Sequence, residues 1–131
     1  MYAMATPYDR YKTQGILTAN PLELIVMLYD GCIKQLKLGG IGIEREDWPK
    51  ANDSFQRAEE IILELVNSLD FNYPIADDLL SIYEFLLTEI IQINLDKDAT
   101  KIEPLVDILS SLRQSWQEIS KEGRGAVTLE E

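Results

Sequence analysis

Four stretches of the chain carry apolar residues at alternating steps of four and three. This spacing keeps the side chains on one side of an α-helix and is typical of the buried seam of a helical bundle. The four seams are Ile25, Tyr29, Cys32, Leu36, Gly39 and Ile43; Ala51, Phe55, Ala58, Ile62, Leu65 and Leu69; Leu79, Tyr83, Leu86, Ile90 and Ile93; and Leu105, Leu109, Leu112, Trp116 and Ile119. No stretch shows a competing strand pattern, so the sequence predicts four helices.

The start of the first helix has the strongest signal. Asn20 is a predicted cap, Pro21 suits the first helical position, and Glu23 lies three residues after the cap, as in a capping box. Asp47 is the predicted cap of the second helix, and Thr100 with Glu103 predicts a capping box for the fourth. We expect helices over about 21–46, 48–69, 75–95 and 101–122.

Short connections make consecutive helices antiparallel. The predicted fold is therefore all-α, an up-down-up-down four-helix bundle over residues 20–122. Gly123 and Gly125 are expected to end the last helix, which leaves residues 123–131 as a flexible tail.

The segment before the bundle, residues 1–19, is polar but contains several tyrosines. Tyr8 and Tyr11 lie three residues apart, which places them on one face of a helical turn. One interpretation is a loose tail. The other, which we adopt, is a docking segment that packs on the bundle or leaves it, because a disordered tail is usually poorer in aromatic residues.

Composition excludes several classes of function. The chain of 131 residues is 46% hydrophobic and has a net charge of −11, so we expect one domain that repels phosphate backbones and anionic lipid. Nucleic-acid binding and direct membrane insertion are therefore not expected. A single cysteine, Cys32, cannot form an internal disulfide, and neither a signal peptide nor a transmembrane run is visible, which favours the cytoplasm.

The sequence lacks the residues that catalysis in a bundle would need. There is no histidine, so neither an inward Glu-x-x-His metal site nor an activated serine can form. The glycine run at 39–42 follows no strand and lacks the lysine of a phosphate-binding loop. We expect no enzyme, no cofactor and no metal. The glycines themselves leave three possibilities open: fraying, bending, or close approach of another helix.

Two helices carry more apolar surface than their seams require. Leu24 and Met27 widen the first helix, and Leu80, Leu87 and Ile91 form a second lane on the third, about 100° from its seam. Either all of these residues belong to the core, or they line grooves that receive amphipathic helices from a partner. The N-terminal segment could then shield one groove when the partner is absent.

Several motifs resemble those of the flagellar secretion chaperone FliS family. They are Tyr8-x-x-Tyr11, Thr18-Ala19-Asn20-Pro21-x-Glu23-Leu24, Met27-Leu28-Tyr29-Asp30-Gly31, Lys50-Ala51, Ala58 with Ile61-Ile62, Leu79 to Tyr83, Asn94-Leu95 with Asp98, and Leu112-Arg113-x-x-Trp116. The run from Met27 to Gly31 after an Asn-Pro cap is the most specific, and the resemblance covers about residues 7 to 121.

The resemblance implies a cytoplasmic chaperone that holds the disordered C-terminal segment of flagellin as helices around the bundle. It prevents premature polymerisation and presents the subunit to the membrane export gate of the flagellar type III secretion apparatus. In the family the N-terminal segment folds over the bundle, and its aromatic positions are implicated in gate contact. Two departures are Thr88 and Glu89, where the family often has paired arginines, and the glycine-rich end of the first helix.

The sequence therefore predicts two sets of partner-binding residues. The flagellin-binding set is Leu24, Met27, Leu80, Tyr83, Leu87 and Ile91, and the set for gate docking or capping is Tyr8 and Tyr11. The free protein is expected to be a monomer that binds flagellin one to one. The alternatives are a structural bundle that self-associates through the lane of the third helix, and a chaperone for another secreted helical protein.

Overall fold

The computed structural model describes the backbone of residues 21–130 and the side chains of residues 22–121. Four helices follow one another: α1 (Pro21–Glu44), α2 (Trp48–Asn67), α3 (Ile75–Asp96) and α4 (Ile102–Glu130), with a short 3-10 turn at Ala99–Lys101 before α4. The predicted antiparallel four-helix bundle is confirmed. None of the helices in this described range is long and apolar enough to cross a membrane.

Three helix caps were predicted, of which Asn20 lies outside the described residues. One of the other two follows the predicted capping chemistry. The Asp47 side chain accepts a hydrogen bond from the backbone N–H of Lys50, which confirms it as the cap of α2. The cap before α4 was predicted wrongly. The capping residue is Asp98 and not Thr100. The Asp98 carboxylate accepts a hydrogen bond from the backbone N–H of Thr100, and this caps the 3-10 turn that leads into the helix.

The end of α4 also differs from the prediction. The helix continues through Gly123 and Gly125 to Glu130, where we expected it to end at the glycines. The physical reason is that a helical glycine costs only about 1 kcal/mol relative to alanine, which weakens a helix without breaking it.

The predicted seams form the core of the bundle. All five seam residues of α3 are buried, as are Tyr29, Cys32 and Leu36 of α1 and Leu105 and Leu109 of α4. Five other seam residues are half-buried against the core: Ile25, Ile43, Leu69, Leu112 and Trp116. Ile119 is the one exposed seam residue, with 46% of its surface exposed, while the neighbouring Ser120 is buried. At about 100° per residue, Ser120 lies close to the centre of the buried arc of α4 and Ile119 lies about 90° away from it.

The helices do not pack equally tightly around the bundle. α1 packs most extensively against α2 and next against α4, and α3 packs mainly against α2. α3 and α4 are neighbours in the bundle but have little contact with each other. The core is therefore centred on α1 and α2, and the side between α3 and α4 is open.

The glycine run of α1 allows close approach of neighbouring helices, which decides among the three possibilities. A Cβ atom added at Gly39 would lie 2.5 Å from the Phe55 ring, and one at Gly42 would lie 2.9 Å from the backbone nitrogen of Ala51. The segment is regular helix to Glu44. Its glycines thus remove the side chains that would hold α2 away from α1.

Candidate functional site

A hydrogen-bonded aromatic trio lies at the centre of the bundle. The hydroxyl oxygens of Tyr29 and Tyr83 are 2.5 Å apart, and the indole N–H of Trp116 donates to the Tyr29 hydroxyl over 3.1 Å. Burial raises the pKa of both tyrosines, and their proximity raises that of Tyr83 further. Both hydroxyls are therefore neutral and act as structural links among α1, α3 and α4.

Two of the predicted partner contacts are buried in this structure. Tyr83 is 1% exposed and Leu24 is 6% exposed, so neither presents an accessible side chain in this conformation. Tyr83 is buried because it belongs to the α3 seam, and its hydroxyl is paired with Tyr29. Leu24 is buried because the apolar arc of α1 faces more than one neighbour.

The second lane of α3 is only partly covered. Ile91 is 41% exposed, Leu80 and Leu87 are half-buried, and Leu87 packs against the core. We call Leu80, Leu87 and Ile91 the outer lane. Met27 is also half-buried but lies on α1, which does not pack closely against α3. The structure therefore joins three of the predicted contacts in one surface and leaves Met27 apart from them.

Tyr8, Tyr11 and the rest of the predicted N-terminal docking segment lie outside the described residues. The bundle nevertheless has a cavity at the end where α1 begins. This basal cavity has a volume of about 730 Å³, and it lies between the start of α1, the end of α2 and the start of α3. Its walls include Leu22, Ile25, Leu69, Tyr73, Tyr83 and Trp116.

A second concave surface lies where α3 and α4 stand apart. This α3–α4 groove has a volume of about 570 Å³ and is lined by Ser81, Ile82, Phe85, Asp107, Ile108, Ser111 and Leu112. Phe85 is 50% exposed. The sequence prediction missed Ile82 and Phe85 as surface residues, although their spacing of three places them on one flank of α3, opposite to the outer lane.

Cys32 is the remaining group with reactive potential. Its thiol is fully buried, and burial raises its pKa to about 12. The thiol is within 3.9 Å of the backbone carbonyl oxygen of Ala58. It is an inert core group, as predicted. Among the described side chains, no three Cys, Asp or Glu residues are placed to hold a metal ion together.

The described residues thus form an all-helical bundle with two concave, mainly apolar surfaces. Comparison with known proteins identifies the family to which the chain belongs. Residues 4–123 match the family model described as flagellar protein FliS, and the chain belongs to this family of flagellar secretion chaperones.

Individual relatives agree with this assignment. The chain is 28% identical over 116 residues to the flagellar secretion chaperone FliS of Bacillus subtilis strain 168, covering 88% of this chain and 87% of the relative. It is 29% identical over 109 residues to the FliS of Salmonella typhimurium strain LT2, with 81% of each covered. A crystal structure of a bacterial flagellar chaperone superimposes with a TM-score of 0.74 at 19% identity, covering 88% of this chain and 95% of that one. That structural likeness concerns the fold.

Proposed function

We propose that the protein is a cytoplasmic, non-enzymatic export chaperone that binds the disordered C-terminal segment of flagellin. The observation that carries the proposal is the outer lane of α3, a half-exposed apolar surface beside a complete core. The family membership supplies the class of client, and the relatives' names supply the link to flagellar secretion.

The outer lane has the chemistry for capturing an amphipathic helix. Covering the exposed 41% of Ile91 would contribute about 1 kcal/mol, and Leu80 and Leu87 would each add a smaller amount. Several such contacts along one helix face give the helix-in-groove mode of recognition. A flagellin segment held in this way is shielded from other flagellin subunits, so it cannot begin to polymerise.

Isothermal titration with the C-terminal peptide of the cognate flagellin tests this directly. We expect one-to-one binding with a large negative heat-capacity change, because apolar burial is coupled to folding of the peptide. Ile91→Glu should weaken binding by at least about tenfold while helicity is retained. Thr88→Glu is the matched control, since it places the same charge on an exposed position of α3 outside the outer lane.

Two results would contradict capture by the outer lane. One is equal binding by the Ile91→Glu and Thr88→Glu variants. The other is a parallel loss of helicity and binding in Ile91→Glu and in Leu87→Glu, which would make these side chains simple core residues.

Delivery to the export gate is the second part of the proposal. We assign it to the N-terminal segment through Tyr8 and Tyr11, on the strength of the family resemblance. Tyr11→Ala should reduce binding of the loaded complex to the gate protein in a pull-down and leave flagellin affinity within about twofold. Unchanged gate binding by this variant would remove the role from Tyr11.

Self-association is the alternative from a different class, and the exposure of Ile91 and Leu95 favours it. Leu95 is 72% exposed near the end of α3. A stable homodimer in sedimentation that is broken by Ile91→Glu would support a structural module. A monomer that becomes a one-to-one complex with flagellin supports the chaperone.

A further inference from the structure

We propose that the α3–α4 groove is a separate docking site for an amphipathic helix of a partner protein whose apolar stripe is flanked by lysine or arginine. The groove lies on the flank of α3 opposite to the outer lane. The proposal therefore does not depend on flagellin capture by the outer lane.

The packing of the bundle leaves room for such a helix. α3 and α4 have little contact, although they are adjacent. The space between them has an apolar floor formed by Ile82 and Phe85 on α3 and by Ile108 and Leu112 on α4. Ile82, Ile108 and Leu112 pack against the core, while half of the Phe85 surface remains exposed. The groove thus has a rigid base and one unpaired aromatic side chain.

Two further apolar residues extend this floor toward the base of the bundle. Ile75, which also lines the basal cavity, is 61% exposed at the start of α3, and Ile119 is 46% exposed on α4. Helical rotation of about 100° per residue puts Ile75 within about 20° of Ile82 on α3, and Ile119 within about 20° of Ile108 on α4. At about 1.5 Å per residue, the segment 75–89 is about 21 Å long, which matches about four turns of a docked helix.

The charges around the groove determine the kind of helix that fits. Asp107 lines it directly. By the same rotation, Asp78 and Glu89 share the face of α3 that carries Phe85, and Glu118 shares the face of α4 that carries Asp107. Asp78 lies one turn before Ile82 and Glu89 one turn after Phe85, so these two carboxylates lie in line with the α3 part of the floor, while Asp107 and Glu118 lie along its α4 edge.

Among the described side chains, basic residues offset these carboxylates only in part. α3 contains no lysine or arginine. On the described part of α4, the guanidinium of Arg113 pairs with Asp30 of α1 over 2.6 Å. Lys121 lies three residues after Glu118 and about 60° from it around α4, so it can offset that carboxylate at the base of the bundle. Lys101 lies in the 3-10 turn at the far end. A helix with flanking cations therefore complements the site. A second copy of this chain, with its net charge of −11, would be repelled.

The test uses the full chain and a fluorescein-labelled model peptide of about 16 residues, stapled as a helix, with leucines at i, i+3, i+4 and i+7 and lysines beside them. A second peptide has glutamate in place of each lysine. We expect the lysine peptide to bind at least about tenfold more tightly than the glutamate peptide in fluorescence anisotropy, and the difference should shrink as salt is raised.

Matched variants locate the site. Phe85→Lys should weaken binding of the lysine peptide by at least about tenfold, whereas Ile91→Lys, an equally large change on the opposite flank of α3, should alter it less than about twofold. Asp107→Lys changes only an exposed charge, so it keeps the test informative if Phe85→Lys fails to fold. It should weaken binding several-fold and reduce the salt dependence.

Four outcomes would overturn the proposal. They are equal affinity for the two peptides, equal effects of Phe85→Lys and Ile91→Lys, a homodimer in sedimentation that Phe85→Lys dissociates, and a loss of flagellin binding in Phe85→Lys as large as in Ile91→Glu. The third would make the groove a self-association surface, and the fourth would make it part of the flagellin site. If only flagellin binding at the outer lane failed to appear, the result with the lysine peptide would still support the α3–α4 groove as a docking site.

Discussion

Substitution of Gly39 by alanine tests whether the glycine run is a packing device. The new Cβ atom would lie 2.5, 2.6 and 2.9 Å from three atoms of the Phe55 ring, where carbon atoms normally approach to about 3.5–4.0 Å. Phe55 is fully buried, so its ring has no free space to enter. Either the ring or the whole of α2 has to move by about 1 Å.

Two opposing terms set the expected size of the effect. Alanine is favoured over glycine in a helix by about 1 kcal/mol. Overpacking of a closed core costs about 1–3 kcal/mol, and contact with a buried ring places this site at the upper end. We therefore expect Gly39→Ala to lower the free energy of unfolding by about 2 kcal/mol, equivalent to a fall in Tm of roughly 8 °C.

Gly40→Ala is the matched control. A Cβ atom at Gly40 would lie 3.1 Å from the Cδ1 atom of Ile102, which is the end of a flexible side chain. A small rotation of Ile102 relieves that contact, so the propensity gain of up to about 1 kcal/mol should dominate and this variant should be stabilised. The assay is urea unfolding followed by circular dichroism, with both midpoints and slopes compared.

A double variant identifies the cause. In a Phe55→Leu background, which shortens the ring to a branched side chain, Gly39→Ala should cost much less, with a coupling free energy of at least about 1.5 kcal/mol. If Gly39→Ala stabilised the protein as much as Gly40→Ala, or if the coupling were absent, the close approach of α2 to α1 would not be the reason for the glycine.

The remaining predictions concern titration and backbone strain. Cys32 should resist iodoacetamide at about pH 8 in the folded protein and react once urea unfolds it, because burial raises its pKa to about 12; rapid labelling of the folded protein would refute this. Tyr29 and Tyr83 also have pKa values raised by burial above the ordinary 10.0. Above about pH 10 the unfolded chain therefore releases protons that the folded chain retains, so the free energy of unfolding should fall as the pH rises. The fall should be less steep in Tyr83→Phe, and urea unfolding at several alkaline pH values would measure both slopes. Glu46 has a φ of 54°, so Glu46→Gly should raise stability by up to about 1 kcal/mol in urea unfolding. Lys97, with a φ of 55°, should not gain in the same way, since its ammonium donates hydrogen bonds to asparagine oxygens of α2 and α3 that glycine cannot make.

The local pattern of the sequence determined the helices and most of the core. Alternating steps of four and three identify one side of a helix without reference to any neighbour, which is why all the seam residues of α3 were predicted correctly. The same holds for Asp47, because a cap depends on backbone groups only a few residues away. The family assignment also followed from short motifs, above all the run from Met27 to Gly31.

The tertiary structure decided how far apart the helices lie and which surfaces remain open. Periodicity gives the angle of a side chain around its own helix, but the neighbour met at that angle depends on the packing of the whole bundle. Hence Tyr83, predicted as a contact, is tied to Tyr29 inside the bundle, and Phe85 is exposed because α4 stands away from α3. For the same reason, only the packed helices could show that the ring of Phe55 fills the space where a side chain at position 39 would lie.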